Sequence, residues 1–208
     1  MPLKLPNKNE LRTRETRDLL IRAAETIFVR DGYERAELGE IATLAGRTKG
    51  AIYGQFKSKE DLFIALFTER TQFHSVRMNE KLATSTSIEQ NLKLFREFYL
   101  EILEDSNWPL LILEFKLFAL RHPESKERLE KVHRELYPQY LEEEIIKVFG
   151  SEGNGPTTIP RTAAIAILSP ILSALAIESQ FTHAIIDDHT QRNIVTRLFN
   201  ALLTLPKK

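Results

Sequence analysis

Lys49 and Tyr53 stand four residues apart in the stretch RTKGAIYGQF, which runs from Arg47 to Phe56, and Lys59 follows soon after. Residues at i and i+4 are neighbours on a helix surface, so an ammonium and a phenol at this spacing share one face. Such a face suits a phosphate diester and the edges of bases. Thr48, just ahead, fits a helix N-cap whose hydroxyl accepts a backbone N–H. Ile52 and Phe56, also four apart, predict the inward face. Gly50 and Gly54 lie beside the polar pair, although an interior glycine costs a helix about 1 kcal/mol relative to alanine. Their missing side chains would let the main chain approach a phosphate backbone or a groove wall closely. Ser58-Lys59-Glu60-Asp61 reads as a capping box before a new apolar run, and Lys59 with the free N–H groups there makes a candidate anion site. Taken singly, Tyr53 also reads as a half-buried packing residue and Lys59 as a solvated lysine.

These residues need elements to hold them. Leu20, Ala23, Ala24, Ile27 and Phe28 form an apolar stripe of helical period, closed by Asp31-Gly32. That predicts a first helix of about four turns. Arg12, Arg14 and Arg17 stand ahead of it, either as an arm touching phosphate or as a solvated helix start. Leu38, Ile41, Ala42 and Ala45 predict a short second helix ending at Gly46, and the segment with Lys49 and Tyr53 follows at once. Two helices joined by a tight glycine-containing turn make a helix-turn-helix, whose second helix can enter a DNA major groove.

The whole composition is compatible with this without demanding it. The 208 residues carry 29 Lys/Arg and 29 Asp/Glu, so no global field points to a polyanion, but residues 1–60 hold twelve basic against nine acidic side chains. No cysteine is present, which excludes disulfides, thiolate chemistry and cysteine zinc sites. The five histidines are scattered and form no metal-binding spacing. Neither catalysis nor a metal or cofactor is therefore expected. The polar, basic start lacks the apolar core of a signal peptide. The longest apolar run, 163–177, falls short of the roughly twenty residues that span a bilayer. A soluble, cytoplasmic protein without membrane attachment is expected.

The span from about Arg14 to Phe67 resembles the DNA-binding domain of the TetR family of bacterial transcriptional regulators. The resemblance is carried in order by Ala24 and Phe28, Gly32-Tyr33, Ile41-Ala42, Ala45-Gly46, Gly50, Tyr53 and Phe56, and Ser58-Lys59-Glu60-Leu62. It implies that Thr48, Lys49 and Tyr53 touch DNA and that Lys59 meets phosphate, with Arg47, Gly50 and Gln55 on the same surface. Three departures bear on which operator is read. Ala36 stands where the family has a hydroxyl residue, Arg47 replaces a small apolar residue, and Gly54-Gln55 replace larger ones.

Beyond residue 67 periodicity alone guides the reading. Helices are expected near 59–82, 88–105, 109–121, 124–149, 161–182 and 188–204, with a flexible loop at 150–160. Trp108 to Leu120 is apolar almost all round, which predicts a helix buried in the middle of a bundle. Phe95, Tyr99, Trp108, Phe115 and Phe118 are candidates to line an effector cavity, or are simply core. Glu114 among them needs a partner: a cationic ligand, a lysine or water. Ile165, Leu168, Leu172 and Leu175, with Ile194, Leu198 and Leu202, read as a dimer interface or as internal core. The resemblance implies the first, a four-helix contact between two copies.

The expected fold is all-α. An N-terminal three-helix DNA-binding domain (1–57) precedes a larger helical domain (58–208) for ligand binding and dimerisation. The expected protein is a homodimeric repressor that binds a palindromic operator in double-stranded DNA and is released by an unknown small-molecule effector. A helical protein-interaction module and a nonspecific DNA binder are the alternatives.

Overall fold

A computed structural model describes residues 7–105, 107–136, 142–152 and 159–203, and all regular structure among them is α-helical. The first four helices are α1 (Lys8–Arg35), α2 (Leu38–Leu44), α3 (Lys49–Gln55) and α4 (Lys59–Ala83). Then come α5 (Ile88–Ile102), α6 (Asn107–Arg121), α7 (Pro123–Leu136), α8 (Glu142–Phe149), α9 (Arg161–Glu178) and α10 (Asp188–Leu203). The single helix expected over 124–149 is described as α7 and α8; residues 137–141 and most of the expected loop at 150–160 lie outside the described residues. Packing divides the chain into two units, Met1–Gln72 with Leu113–Val132, and Phe73–Ile112 with His133–Lys208.

In the first unit α1 packs on α2 and α3, and α2 on α3. The predicted stripe Leu20, Ala23, Ala24, Ile27 and Phe28 is buried, as are Ile41, Ala42, Ile52 and Phe56. α1 begins earlier than its stripe implies, because Asn7 and Glu10 form a reciprocal capping box with both hydrogen bonds at 2.9 Å. Arg12, Arg14 and Arg17 are therefore inside α1 rather than ahead of it, and the Arg17 guanidinium lies 4.6 Å from the centre of the Phe56 ring. At the other end Gly32 adopts φ +78°, outside the helical range, and turns the chain. Beyond it Tyr33 joins Phe28, Phe63, Phe115 and Phe118 in an aromatic core whose tightest pair, Phe63 and Phe115, stacks at 4.0 Å between ring centres.

The start of α4 is fixed from several sides. Ser58 Oγ accepts the N–H of Asp61 at 3.1 Å, and the Asp61 carboxylate accepts the N–H of Lys57 at 3.0 Å. The return arm of the capping box thus reaches one residue further back than the motif requires. From α7, Arg128 pairs with Glu60 at 3.1 Å and also with Asp61, while Ser125 Oγ donates to Glu60 at 2.9 Å.

The second unit has its own core, built from Met78, Phe95, Phe98, Ile145, Phe149, Ile165, Leu168, Leu172, Val195, Phe199 and Leu203. α9 packs on α8 and α10, and α10 on α5. Although α9 has 18 residues and a mean hydropathy of 1.5, its Ala164, Ile165, Leu168 and Leu172 are in this core. The buried guanidinium of Arg161 at its start is satisfied by the carbonyls of Gly150 and Ser151, each at 3.0 Å. Burial lowers the pKa of this guanidinium, and the two carbonyls compensate its lost hydration.

One expectation is corrected here. α6 is not buried all round, since Leu110, Leu113, Leu117 and Leu120 are exposed. α10 buries Val195, Phe199 and Leu203 within the chain, and Ile194, Leu198 and Leu202, one position back, are only partly covered, so the internal-core alternative for that stripe holds only at its margin. One residue is about 100° on a helix, so the stripe buried within the chain and the stripe of Ile194, Leu198 and Leu202 are different sides of α10.

Candidate nucleic-acid interface

α2 and α3 are joined by the turn Ala45–Thr48, in which Gly46 takes φ +62°, a conformation that favours glycine. Thr48 caps α3 as its position predicts, accepting the N–H of Ala51 at 3.3 Å. With Ile52 fully buried and Phe56 nearly so, α3 presents Lys49, Gly50, Tyr53 and Gly54 outward. Tyr53 is 56% exposed, so its ring is not packed in the core. Gln55 is half-buried.

Arg47 has a more local engagement. Its Nε approaches Thr16 Oγ1 of α1 at 3.4 Å and its Nη1 donates to the carbonyl of Gly46 at 3.1 Å, which ties the turn to α1. No side-chain hydrogen bond caps α2: the N-cap position is Glu37, and the hydroxyl missing at Ala36 is not replaced by a side-chain cap.

Lys59 has partners inside the chain. Its Nζ donates to the carbonyl of Glu34 at 2.6 Å and to that of Ala36 at 3.2 Å, and it lies 5.0 Å from the Tyr33 ring centre. The ammonium closes the C-terminal end of α1, where carbonyls lack helical partners and a cation is favoured. Burial lowers its pKa and the nearby Glu34 carboxylate opposes that shift. The first turn of α4 also carries Glu60 and Asp61, both paired with Arg128.

The candidate effector residues fall into separate groups. Phe95 and Tyr99 pack edge to face at 5.0 Å in the second unit, and Phe95 also meets Phe149 and Phe199. Phe115 and Phe118 belong to the aromatic core of the first unit. Glu114 accepts the backbone N–H of Tyr33 at 3.0 Å, so its partner is an amide of the first unit rather than a lysine. Trp108 is half-buried at the start of α6. Of the candidate dimer residues, Ile165, Leu168 and Leu172 are core within one chain, while Leu175, Leu198 and Leu202 pack at its margin and Ile194 is half-buried.

Arg12 and Gly54, candidates on separate grounds in the sequence, come together beside α3. An open cleft of about 340 Å³ lies between the first turns of α1 and the outer face of α3. Arg12 was recognisable as a basic residue near this end, but its place opposite Gly54 depends on how α1 crosses α3.

A sequence model of the bacterial regulatory proteins of the tetR family matches residues 20–66. The HTH-type transcriptional activator FasR of Mycolicibacterium smegmatis is 34% identical over 107 residues, covering 51% of this chain and 49% of that protein. The chain spans about half the length of the curated relatives it matches. The fold extends further than the sequence similarity. The fatty acid degradation regulator FadR of Bacillus halodurans superposes with a TM-score of 0.68 at 21% identity, over 91% of this chain and 95% of that one. The transcriptional regulator FadR of Bacillus subtilis, solved in complex with stearoyl-CoA, superposes with a TM-score of 0.59 at 22% identity, over 90% and 97%. The helix-turn-helix lies inside the matched segment, so over residues 20–66 the chain is similar to the bacterial regulatory proteins of the tetR family.

Proposed function

We propose that the protein is a sequence-specific DNA-binding transcriptional regulator, acting in the cytoplasm as a homodimeric repressor that a small-molecule effector releases from a palindromic operator. The observation that carries this reading is α3: Lys49, Gly50 and Tyr53 are exposed together on a helix whose opposite face, Ile52 and Phe56, is locked into α1 and α2. A recognition helix needs both properties, rigidity behind and polar reach in front. Thr48, Lys49 and Tyr53 are the contacts to DNA, with Arg47 holding the turn from behind. The functional division places DNA binding in residues 1–57, and effector binding and dimerisation in 58–208.

Dimerisation through α9 and α10 is supported by what one chain leaves uncovered: Ala163, Ala166, Ile167 and Pro170 form an apolar outer strip on α9, continued by Phe181 and Ile185. Two copies related by a twofold axis match a palindromic half-site pair. The effector acts only through its differential affinity for the DNA-competent and DNA-incompetent states. Stearoyl-CoA in the Bacillus subtilis FadR structure makes a molecule with a long apolar chain the first class to test. Nothing in this reading calls for catalysis.

The test is selection of duplexes from a random pool by the full chain, with retention repeated across a salt series. An enriched palindrome supports the reading. Salt-sensitive retention without enrichment leaves a nonspecific binder, and no retention at low salt removes the DNA-binding role.

A further inference from the structure

We infer that the cleft between α1 and α3 is a seat for one strand of the bound duplex, in which Arg12 meets a phosphodiester and Gly54 keeps the space open. The inference rests on the DNA-binding reading above and adds a second contact surface to it, on a different helix.

Gly54 is the first observation. Ile52 and Phe56 mark the buried side of α3, and at about 100° per residue position 54 falls opposite the line between them. It is the outermost position of the helix. Nothing inside the protein requires glycine there: φ is not positive, and an added Cβ would meet no atom within 4 Å. Alanine would be accommodated and would favour the helix. What the glycine leaves free is therefore the space outside the chain, where another molecule can come close to the α3 backbone.

The second observation is the wall facing Gly54. Asn9, Arg12, Thr13 and Thr16 line the cleft from α1, opposite Ala51, Gly54 and Gln55 of α3. The lining holds a guanidinium, two hydroxyls and two amides, and no carboxylate. Arg12 is exposed, while Arg17 five residues further on is spent against Phe56. Donors with one cation and no opposing charge suit a phosphodiester, and the guanidinium fork matches two of its oxygens. At about 100° per residue, Ala51, Gly54 and Gln55 lie on the flank of α3 away from Lys49 and Tyr53, so a strand seated in the cleft runs along the other edge of the groove that α3 enters.

Three variants of the full chain test this, with a fluorescein-labelled duplex enriched by the wild type as the probe. Gly54→Ala is expected to raise Tm by about 2–4 °C, because the glycine contributes nothing to internal packing. Gly54→Leu fills the cleft and is expected to weaken DNA binding by about tenfold or more while the protein stays folded. Arg12→Gln is expected to reduce the slope of log K against log salt by about 0.9 and to remove one phosphate from the ethylation-interference pattern. Wild-type affinity in Gly54→Leu, or an unchanged slope and interference pattern in Arg12→Gln, overturns the seat. Tyr53→Ala separates the two ideas: if it abolishes binding while Gly54→Leu and Arg12→Gln do not, the recognition helix stands and the seat falls. If the wild type retains no duplex, both fall together.

Discussion

Glu114 Oε2 accepts the backbone N–H of Tyr33 at 3.0 Å, joining α6 to the residue after the Gly32 turn across 81 positions of sequence. The contact satisfies an amide that the turn at Gly32 removes from the helical ladder. Glu114→Ala leaves that amide without its acceptor and is expected to destabilise the protein by about 1–3 kcal/mol in chemical denaturation. Glu114→Gln keeps an oxygen in reach and should lose less. Equal losses in the two variants would mean that the carboxylate charge, not the hydrogen bond, matters here.

Gly32 belongs to the same arrangement. A Cβ at this position would lie 2.7 Å from Glu114 Oε2, on a backbone with φ +78°. Gly32→Ala is expected to cost about 1–3 kcal/mol, from backbone strain and the displaced carboxylate together. In the double variant Gly32→Ala/Glu114→Ala the clash disappears and only strain remains, so the two effects should fall short of additivity. Strict additivity in denaturation midpoints would refute the coupling.

Lys59 and Lys49 should separate in a salt series. Lys49 is exposed on α3, and Lys49→Gln is expected to flatten the dependence of log K on log salt by about 0.9, the signature of one lost phosphate contact. The Lys59 ammonium is already held by the Glu34 and Ala36 carbonyls. Lys59→Gln should therefore leave the slope unchanged and lower stability, by about 1.5–3 kcal/mol for a charged hydrogen-bonded group. A reduced slope in Lys59→Gln would put this lysine on DNA.

Tyr33 gives a test by pH. Burial pushes the pKa of its hydroxyl up, with the Glu60 carboxylate adding to the shift. The folded state then keeps the phenolic proton at a pH where the unfolded chain releases it, so stability falls as pH rises past the ordinary tyrosine value of about 10. The slope attributable to this one group approaches about 1.4 kcal/mol per pH unit. Denaturation of the wild type and Tyr33→Phe between neutral and alkaline pH should show the variant losing less stability at high pH. Parallel curves would exclude the phenol as the source.

α9 offers two adjacent residues with opposite roles. Leu168 is 0% exposed and Ile167 is 44% exposed. Leu168→Ala is expected to destabilise the folded chain by about 2–5 kcal/mol. Ile167→Arg should leave the core intact and shift sedimentation toward the monomer. A dimer unaffected by Ile167→Arg would place the contact between copies elsewhere.

The local order of this protein was legible in its sequence wherever one short segment contains both halves of the interaction. Thr48 accepts an N–H three residues on, Ser58 does the same at Asp61, Gly32 and Gly46 mark turns that favour glycine, and Ile52 with Phe56 declares which side of α3 is inward. The true start of α1 was written there too, as Asn7 and Glu10 at capping-box spacing, but it was masked by an apolar stripe that begins only at Leu20. Tertiary structure alone decided the partners of the charged and aromatic residues. Whether Lys59 reaches outward or back to the end of α1, whether Glu114 finds a ligand or the Tyr33 amide, and which stripe of α10 is inside depend on neighbours brought from distant positions. The physical reason is that capping and periodicity are set within one or two turns of chain, whereas a long polar side chain takes whichever partner the packing of other helices delivers, and a one-residue rotation of an apolar helix changes its buried face at little local cost.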